Sequence, residues 1–288
     1  MKIAVMTDTN SGITVEEAIK YGISVLSMPV LIDERCYLEG RDIEIEQLYE
    51  AMKKECRIST SQPSPGSVME MWNSLLRAGY DQIIHIPMTS GLSGSCHNAK
   101  LLAENFQGKV YVADNHRISV TQRESVLEAK RMADAGYSAE EIRDYLEASA
   151  FQSSIYLTVS SLDYLKKGGR LSSTSAMLGT VLNVKPILSI QGEKIDAFSK
   201  CRGMKTCEKK MIEALKNDIA ERFADISEGN LRVAAAGTLQ NPEDVASWLH
   251  AVQDAFPDIP VCYSPLPCSI ACHVGPDCRG IAVSVVKY

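Results

Sequence analysis

Short apolar runs alternate with amphipathic segments along the first half of the chain. The apolar runs have the length and flanking turn residues of β-strands, and they cover residues 3–7, 23–31, 82–87 and 109–113. The segments between and after them carry helix caps or apolar positions at the 3.6-residue helical period. These predicted helices cover residues 15–21, 44–56, 65–78, 96–105 and 139–150. Strands that alternate with helices favour a parallel sheet with helices on both faces.

The second half of the chain follows a different pattern. Its strand-like runs cover residues 155–159, 188–190, 194–198, 231–237, 261–263 and 281–286, and its helices cover residues 207–223 and the segment after Asn241. The run at 194–198 follows closely enough to pair with the preceding strand as a hairpin. Hairpins mixed with helices favour an α+β domain. We therefore expect two domains, residues 1–150 and 151–288, as the length of 288 residues also suggests.

The charge balance argues against one class of partner. The chain has 30 Lys and Arg against 36 Asp and Glu, a net charge of −6. That balance disfavours bulk electrostatic binding to nucleic acid or to anionic lipid surfaces. No apolar run approaches the roughly 20 residues that span a membrane. Asp8 stands too near the start for a secretory signal peptide. We therefore expect a cytoplasmic protein that binds no nucleic acid and is not a membrane protein.

Four of the nine cysteines lie near the end of the sequence, and they are Cys262, Cys268, Cys272 and Cys278. Their gaps of five, three and five residues do not give the two cysteine knuckles of a structural zinc site. We expect small buried thiols and no metal. A zinc-bearing regulator is kept as a weaker alternative.

Two turns rich in Ser and Thr are the strongest chemical feature of the sequence. The first covers residues 59–65, directly before a predicted helix, and the second covers residues 87–95, between a strand and a helix. Ligands of an open parallel sheet bind beyond the carboxyl ends of its strands. A helix N-terminus there offers free N–H groups and a positive dipole, which suit a carboxylate or phosphate. Capping and turn formation explain about half of these serines, but they do not easily explain two such dense clusters.

Known enzyme motifs are incomplete or absent. Residues 91–95 approach the G-x-S-x-G nucleophile elbow, but Ser95 occupies the place of the last glycine. The phosphate-binding P-loop, the dinucleotide fingerprint and the H-E-x-x-H zinc motif do not occur. Among the histidines, His85 is expected to be packed within a strand and His250 to be exposed on a helix. His273 precedes a Gly-Pro pair, and we expect it in a turn that could face a cleft.

Two cationic segments flank an apolar stretch in the second half. Residues 166–170 form one, and Lys200, Arg202 and Lys205 form the other. Such runs are usually solvated faces, although they could make a local phosphate or partner contact. The apolar stretch between them lacks a single-face period, which favours core or the wall of an apolar pocket. It consists of Ala176, Met177, Leu178, Val181, Leu182 and Val184.

Seven segments, taken in order, resemble the DegV family over essentially the whole chain. They are Thr7-Asp8-Thr9-Asn10, Thr60-Ser61-Gln62-Pro63-Ser64, Ser90-Gly91-Leu92-Ser93-Gly94-Ser95, Leu165-Lys166-Lys167-Gly168-Gly169-Arg170, Asn183-Val184-Lys185-Pro186-Ile187-Leu188, Lys200-Cys201-Arg202 and His273-Val274-Gly275-Pro276. The resemblance implies an α/β protein with an N-terminal parallel-sheet α/β domain and a C-terminal α+β domain. In the family, a long-chain fatty acid lies in a tunnel between the two domains. Some members are the fatty-acid-binding subunit of a bacterial fatty acid kinase, in which a separate ATP-using subunit makes an acyl phosphate.

The resemblance also implies roles for individual residues. The expected contacts with the fatty acid carboxylate are Thr60, Ser61, Ser93, Gly94 and His273, and the expected contacts with phosphate or the kinase subunit are Arg170 and Arg202. No cofactor, no metal and no catalysis by the chain alone are implied. The segments 114–117 and 277–279 depart from the family pattern. These departures leave the preferred acyl chain length and the kinase partnership open.

The competing interpretation is a lipid ester hydrolase. In that case Ser93 would be the nucleophile, His273 its base and Asp8 the group that orients the base. We favour the carrier, because the nucleophile elbow is broken and the family resemblance supports binding without turnover.

Overall fold

The computed structural model describes residues 1–171, 184–192 and 194–288. Residues 176–182 of the apolar stretch, and Asn183 of the family motif, lie outside these described ranges. The chain divides into two compact units. The first unit comprises residues 1–151, 267–269 and 288, and the second comprises residues 152–266 and 270–287.

The first unit contains seven strands and six helices among the described residues. The strands are β1 (Ile3–Asp8), β2 (Ile23–Leu26), β3 (Pro29–Ile32), β4 (Arg35–Leu38), β5 (Ile58–Thr60), β6 (Gln82–Ile86) and β7 (Val110–Val112). The helices are α1 (Val15–Tyr21), α2 (Ile45–Lys53), α3 (Pro65–Arg77), α4 (Ser95–Ala103), α5 (Ser119–Asp134) and α6 (Ala139–Ala148). Short 3₁₀ turns cover Thr9–Ser11 and Glu104–Phe106.

A parallel sheet of four strands, in the order β2-β1-β6-β7, forms the centre of the first unit. Alternate residues of β6 enter different cores because successive strand side chains point to opposite faces. Ile84 and Ile86 pack with residues of α5 and α6. Ile83 packs with residues of α3 and α4, among them the fully buried Trp72. The predicted sheet with helices on both faces is therefore confirmed.

Two local expectations for the first unit were wrong. Residues 23–31 do not form one strand: β2 pairs with β1, whereas β3 belongs to a separate antiparallel sheet of order β4-β3-β5. The break falls at Pro29, which lacks the N–H that a continuous ladder needs and is tolerated as the first residue of a strand. Helix α5 has no counterpart among the predicted helices. Its buried side includes Thr121, Gln122 and Glu128, so apolar periodicity does not reveal it.

The second unit contains a mixed sheet of six strands in the order β10-β9-β8-β13-β11-β12. The strands are β8 (Ser153–Thr158), β9 (Val184–Ile190), β10 (Asp196–Arg202), β11 (Leu231–Gly237), β12 (Val261–Pro265) and β13 (Arg279–Val285). The helices are α7 (Asp163–Gly168), α8 (Met204–Glu221) and α9 (Pro242–Ala255), with a 3₁₀ turn at Glu228–Asn230. Only the β11–β12 pair is parallel among these described pairings. This is the α+β arrangement that the sequence predicts, including the β9–β10 hairpin.

Helices α8 and α9 share one core with the sheet of the second unit. Met211 and Leu215 of α8 and Trp248 of α9 are fully buried there, together with Val283 of β13. The indole nitrogen of Trp248 donates to the carbonyl oxygen of Gly280 at 3.1 Å, so its one polar atom is satisfied.

A final helix, α10 (Cys268–Val274), begins with residues grouped in the first unit and ends with residues of the second. Within the described ranges, no helix has both the length and the apolar character needed to cross a membrane.

Candidate functional site

The two Ser/Thr-rich turns end at the N-termini of neighbouring helices in the first unit. The first turn leads from β5 into α3, where the Ser64 hydroxyl accepts the N–H of Ser67 at 3.1 Å and Pro65 occupies the first helical turn. The second turn leads from β6 into α4, which begins at Ser95. Each helix therefore directs the N–H groups of its first turn and the positive end of its dipole toward one of the turns.

Three successive backbone amides fix the backbone of the second turn through hydrogen bonds. The N–H of Met88 donates to Asp8 Oδ2 at 2.9 Å. The N–H of Thr89 donates to the Arg117 carbonyl at 2.9 Å, and the N–H of Ser90 donates to Asp114 Oδ1 at 3.3 Å. The acceptors come from two places in the sequence, the end of β1 and the segment between β7 and α5. This turn is consequently ordered before any ligand arrives.

Ser93 and Gly94 lie where the second turn meets the first. The Ser93 hydroxyl accepts the N–H of Ser95 at 3.2 Å and lies 3.1 Å from the Ser95 hydroxyl. A Cβ atom added to Gly94 would lie 3.1 Å from Oε1 of Gln62. Glycine therefore allows the close approach of the two turns. The structure brings Ser93 and Gly94 together with the turn that carries Thr60 and Ser61.

Thr60 and Ser61 lie at the end of β5. Thr60 pairs with Val30 of β3, and the N–H of Ser61 donates to the Pro29 carbonyl at 3.2 Å. The Thr60 side chain is half-buried, and Ser61 is exposed. The small antiparallel sheet thus fixes the backbone of the first turn and leaves the Ser61 side chain accessible.

Asp8 lies beneath the second turn and is buried. Its Oδ1 accepts from Asn10 and from Gln122, and its Oδ2 accepts from Met88. Burial raises the pKa of Asp8 above its ordinary value, and these hydrogen bonds oppose the rise. Within the first unit, Asp8 acts as an anchor for the turns.

A small cavity lies between the two turns and the helices α3 and α4. Its volume is about 10 Å³, and it is lined by Asp8, Leu26, Pro63, Pro65, Val68, His85, Pro87, Ser95, Asn98, Ala99 and Leu102. His85 is buried, as the sequence predicts, and its ring meets the Trp72 ring edge-on at 5.7 Å. Burial lowers the pKa of His85 to about 3, so the imidazole is neutral near pH 7.

The second unit holds His273 beside a basic residue. The sequence predicts a turn at His273, which was wrong: His273 lies in the last turn of α10. The helix ends immediately afterwards because Gly275 adopts the left-handed conformation, with φ of 75°. Burial, and secondarily the positive charge of Arg170, lower the pKa of His273 to about 4. The structure thus brings Arg170 and His273 together.

Two glycines fit the His273 segment closely against α7. A Cβ added to Gly168 would lie 2.2 Å from Nδ1 of His273, and one added to Gly275 would lie 2.4 Å from the ring of Tyr164. Contacts under 3.0 Å do not occur for real Cβ atoms. The His273 imidazole therefore lies directly over the end of α7.

Thr238 secures the segment that follows His273, and sequence reasoning missed it. Its hydroxyl donates to the Gly275 carbonyl at 2.7 Å and accepts the N–H of Cys278 at 2.9 Å. Its own N–H donates to the Cys278 carbonyl at 3.1 Å. A single threonine after a strand carries no motif, so the sequence offers no signal for this role.

Arg202 lies at the end of β10, where it pairs with Val184 of β9 and is exposed. Lys200, on the same strand, is exposed too, whereas Lys205 forms an ion pair with Glu208 at 3.2 Å. The predicted cationic segment is therefore partly neutralised. All three of its members are exposed, and among them Lys205 forms the ion pair with Glu208.

The terminal cysteines do not assemble a ligand set. Cys268, Cys272 and Cys278 are buried, and Cys262 is exposed. In the part of the chain that the structure describes, no group of three or more His, Cys, Asp or Glu side chains is placed to hold a metal ion.

Comparison with known proteins gives one family across nearly the whole chain. The model of the DegV family, described as a family of uncharacterised proteins, matches residues 2–286. A DegV domain-containing protein of Caldanaerobacter subterraneus is 32% identical over 290 residues, covering 97% of this chain and 98% of its own. A DegV domain-containing protein of Deinococcus radiodurans is 30% identical over 285 residues, covering 98% of each chain.

Solved structures of similar proteins have the same fold. One is the structure of a DegV family protein from Thermus thermophilus, whose description gives fatty acid binding. It superposes with a TM-score of 0.88 at 25% identity, covering 99% of this chain and 100% of the other. DegV, described as a fatty acid binding protein from Bacillus subtilis, superposes with a TM-score of 0.86 at 28% identity, covering 99% of each chain.

Proposed function

Because this chain belongs to the DegV family, we propose that it binds a long-chain fatty acid and presents the carboxylate to a separate kinase subunit, which uses ATP to form an acyl phosphate. The proposed ligand is the one that the similar structures from Thermus thermophilus and Bacillus subtilis are described as binding. The chain itself acts as a carrier within lipid metabolism and needs no cofactor.

The observation that carries the proposal is the meeting of the two turns. The two turns meet at Gly94 and Gln62, where a Cβ on the glycine would lie 3.1 Å from the side-chain oxygen of the glutamine. The adjoining residues Ser61 and Ser93 are hydroxyl donors. A buried carboxylate needs several hydrogen bonds. Helix N-termini with hydroxyls supply these bonds, and the helix dipoles attract the negative charge.

In the second unit, His273 is the proposed carboxylate contact that the family resemblance implies. Its lowered pKa of about 4 keeps the imidazole neutral near pH 7. A neutral imidazole still carries one N–H, which donates a hydrogen bond to a carboxylate oxygen. Such a contact adds a donor without adding a permanent charge.

The acyl chain supplies most of the affinity in this proposal. Burial of a methylene contributes about 0.8 kcal/mol, so half of a 16-carbon chain contributes roughly 6 kcal/mol. That corresponds to a dissociation constant below about 0.1 mM before any head-group contact is counted. The turns then determine where the carboxylate lies.

Phosphoryl transfer is assigned to the partner subunit. Neither the P-loop nor a dinucleotide motif occurs in the sequence. Arg170 and Arg202 are the proposed contacts with the phosphate or the kinase subunit. Replacing Arg202 with Ala should reduce acyl phosphate formation with such a subunit while fatty acid affinity stays unchanged. A collapse of fatty acid affinity would show instead that Arg202 serves the ligand site.

The experiment that tests the carboxylate site is Ser93→Ala, with Ser138→Ala as its matched control. Both hydroxyls accept a backbone N–H at 3.2 Å at the start of a helix of the first unit, that of Ser95 in one case and that of Glu141 in the other, so both variants lose one such hydrogen bond. Only Ser93 belongs to the proposed site. Loss of a hydrogen bond to a charged group should weaken fatty acid binding in Ser93→Ala by about 1.5–3 kcal/mol, tenfold or more. Ser138→Ala should bind like the wild type.

The same pair of variants separates the carrier from the hydrolase alternative. A Ser93 nucleophile would give the wild type an esterase activity that falls by orders of magnitude in Ser93→Ala, with fatty acid affinity unchanged. We expect no serine-dependent turnover in either protein. Equal loss of affinity in Ser93→Ala and Ser138→Ala would show that the effect comes from the lost backbone hydrogen bond and not from a ligand contact.

A further inference from the structure

His85 supplies the one aromatic ring among the residues that line the cavity between the two turns, and the two nitrogens of this ring are unusual. His85 lies on the central strand β6 and is only 2% exposed. Neither ring nitrogen has a hydrogen-bond partner among the described residues. Buried polar groups are nearly always hydrogen-bonded in native proteins. The two nitrogens of His85 therefore point to a ligand in the cavity that His85 lines.

The chemistry of a neutral imidazole restricts what that ligand can be. One ring nitrogen carries a hydrogen and donates, and the other has a lone pair and accepts. A simple anion would satisfy only the donor, and a metal cation would satisfy only the acceptor. Asp8, which also lines the cavity, disfavours an anion further. The complementary ligand both donates and accepts hydrogen bonds.

The size of the cavity restricts the ligand in the same direction. Its volume of about 10 Å³ matches the lower limit for one water molecule. A carboxylate group, with three heavy atoms, is too large for it. Three further polar residues line the cavity: Asp8, Ser95 and Asn98. A buried water molecule typically has two to four polar partners, roughly as many as this lining offers.

We propose that this cavity is a specific site for a single long-lived water molecule, hydrogen-bonded to His85 and to the polar side chains around it. The Oδ2 atom of Asp8 is a suited acceptor for this water, because the N–H of Met88 is its single donor among the hydrogen bonds described above. The water then connects His85 on β6 with Asp8 on β1. The water thereby stabilises the start of the second turn, because Asp8 accepts the N–H of Met88 there.

The test counts long-lived internal waters in the lipid-free protein by ¹⁷O magnetic relaxation dispersion. The variant is His85→Leu, which removes both ring nitrogens to which the proposed water is hydrogen-bonded. The matched control is His250→Leu, because the His250 side chain is 77% exposed on α9. We expect His85→Leu to lose one long-lived water relative to the wild type and His250→Leu to lose none. Equal counts in the wild type and His85→Leu would overturn the proposal.

A second measurement on the wild type removes any dependence on the folding of the variant. The ¹⁵N shifts of the His85 ring show whether each nitrogen is hydrogen-bonded. We expect one bonded N–H and a bonded lone-pair nitrogen, although none of the residues that the structure describes supplies either partner. The shift of a lone-pair nitrogen without a hydrogen bond would contradict the water site. Because no fatty acid is present in either experiment, the outcome is independent of the proposed function.

Discussion

The buried imidazole of His85 should make the stability of the protein depend on pH. Burial lowers the pKa of His85 from 6.5 to about 3 in the folded protein. In the unfolded chain the ring takes up a proton near its ordinary pKa. As the pH falls below 6.5, the unfolded state therefore binds a proton that the folded state does not. The stabilising contribution of neutral His85 is complete above this pH and is lost progressively down to the folded pKa.

The size of the effect follows from the two pKa values. A difference of one pH unit below the unfolded pKa costs about 1.4 kcal/mol per histidine, as long as the folded form stays neutral. Between about pH 7.5 and pH 5, His85 should thus lower the free energy of unfolding by about 2 kcal/mol. His273, with a folded pKa of about 4, should contribute in the same direction.

The assay is urea unfolding of the wild type and His85→Leu at both pH values, with His250→Leu as the control. The leucine substitution changes the stability at every pH, but it removes only the His85 titration from the pH dependence. The drop between the two pH values should therefore be about 2 kcal/mol smaller in His85→Leu than in the wild type. His250→Leu, at an exposed side chain, controls for the loss of an imidazole as such. An equal drop in the wild type and His85→Leu would refute a buried, neutral His85.

Three further predictions concern the His273 segment. Gly168→Ala places a Cβ 2.2 Å from His273 Nδ1, so the ring must move and fatty acid affinity should fall about tenfold. The control variant Gly229→Ala, whose added Cβ has its nearest neighbouring atom at 3.9 Å, should bind the fatty acid like the wild type. Arg170→Ala should raise the pKa of His273 in an NMR titration, because the Arg170 charge lowers it; an unchanged pKa contradicts this. Thr238→Val should lower the free energy of unfolding, measured in urea, by about 2 kcal/mol, and Thr238→Ser should lower it clearly less. Equal losses in the two variants would show that the Thr238 hydroxyl does not stabilise the segment.

Helix caps and strand runs were predictable because their signals are local. Thr14 and Ser138 accept the N3 amides of α1 and α6, and the N3 glutamates return the bond, as each capping box predicts. The Ser64 hydroxyl likewise accepts an N3 amide, that of Ser67 in α3, although no glutamate follows there. Each of these interactions lies within four residues of sequence, so the pattern is sufficient to find it.

Helix α5 was missed because of its long-range polar contacts. Gln122 donates to Thr7, to Asp8 and to the Ile86 carbonyl, so a polar residue replaces an apolar one on the buried face. Glu128 is fully buried and accepts the Tyr145 hydroxyl at 2.6 Å. Partners this distant in sequence leave no periodic signal, and the apolar pattern fails at this helix.

The candidate site was predictable in composition but not in geometry. The density of hydroxyls and glycines identified both turns, and the family resemblance supplied the ligand class. The close approach of Gly94 to Gln62 and the hydrogen bonds of Thr238 depend on where segments distant in sequence come together. Nor does the sequence show that α10 extends through His273, since this helix is only seven residues long and has mixed polarity.

The most direct test of fatty acid binding is mass spectrometry of the small molecules that the purified protein retains, followed by titration of the delipidated protein with fatty acids of several chain lengths. We predict one long-chain fatty acid per chain, and a melting temperature that falls on delipidation and recovers when the acid is restored, because a ligand of the folded state stabilises it. A protein that retains no lipid, and whose melting temperature does not respond to any of the fatty acids, would contradict the carrier function.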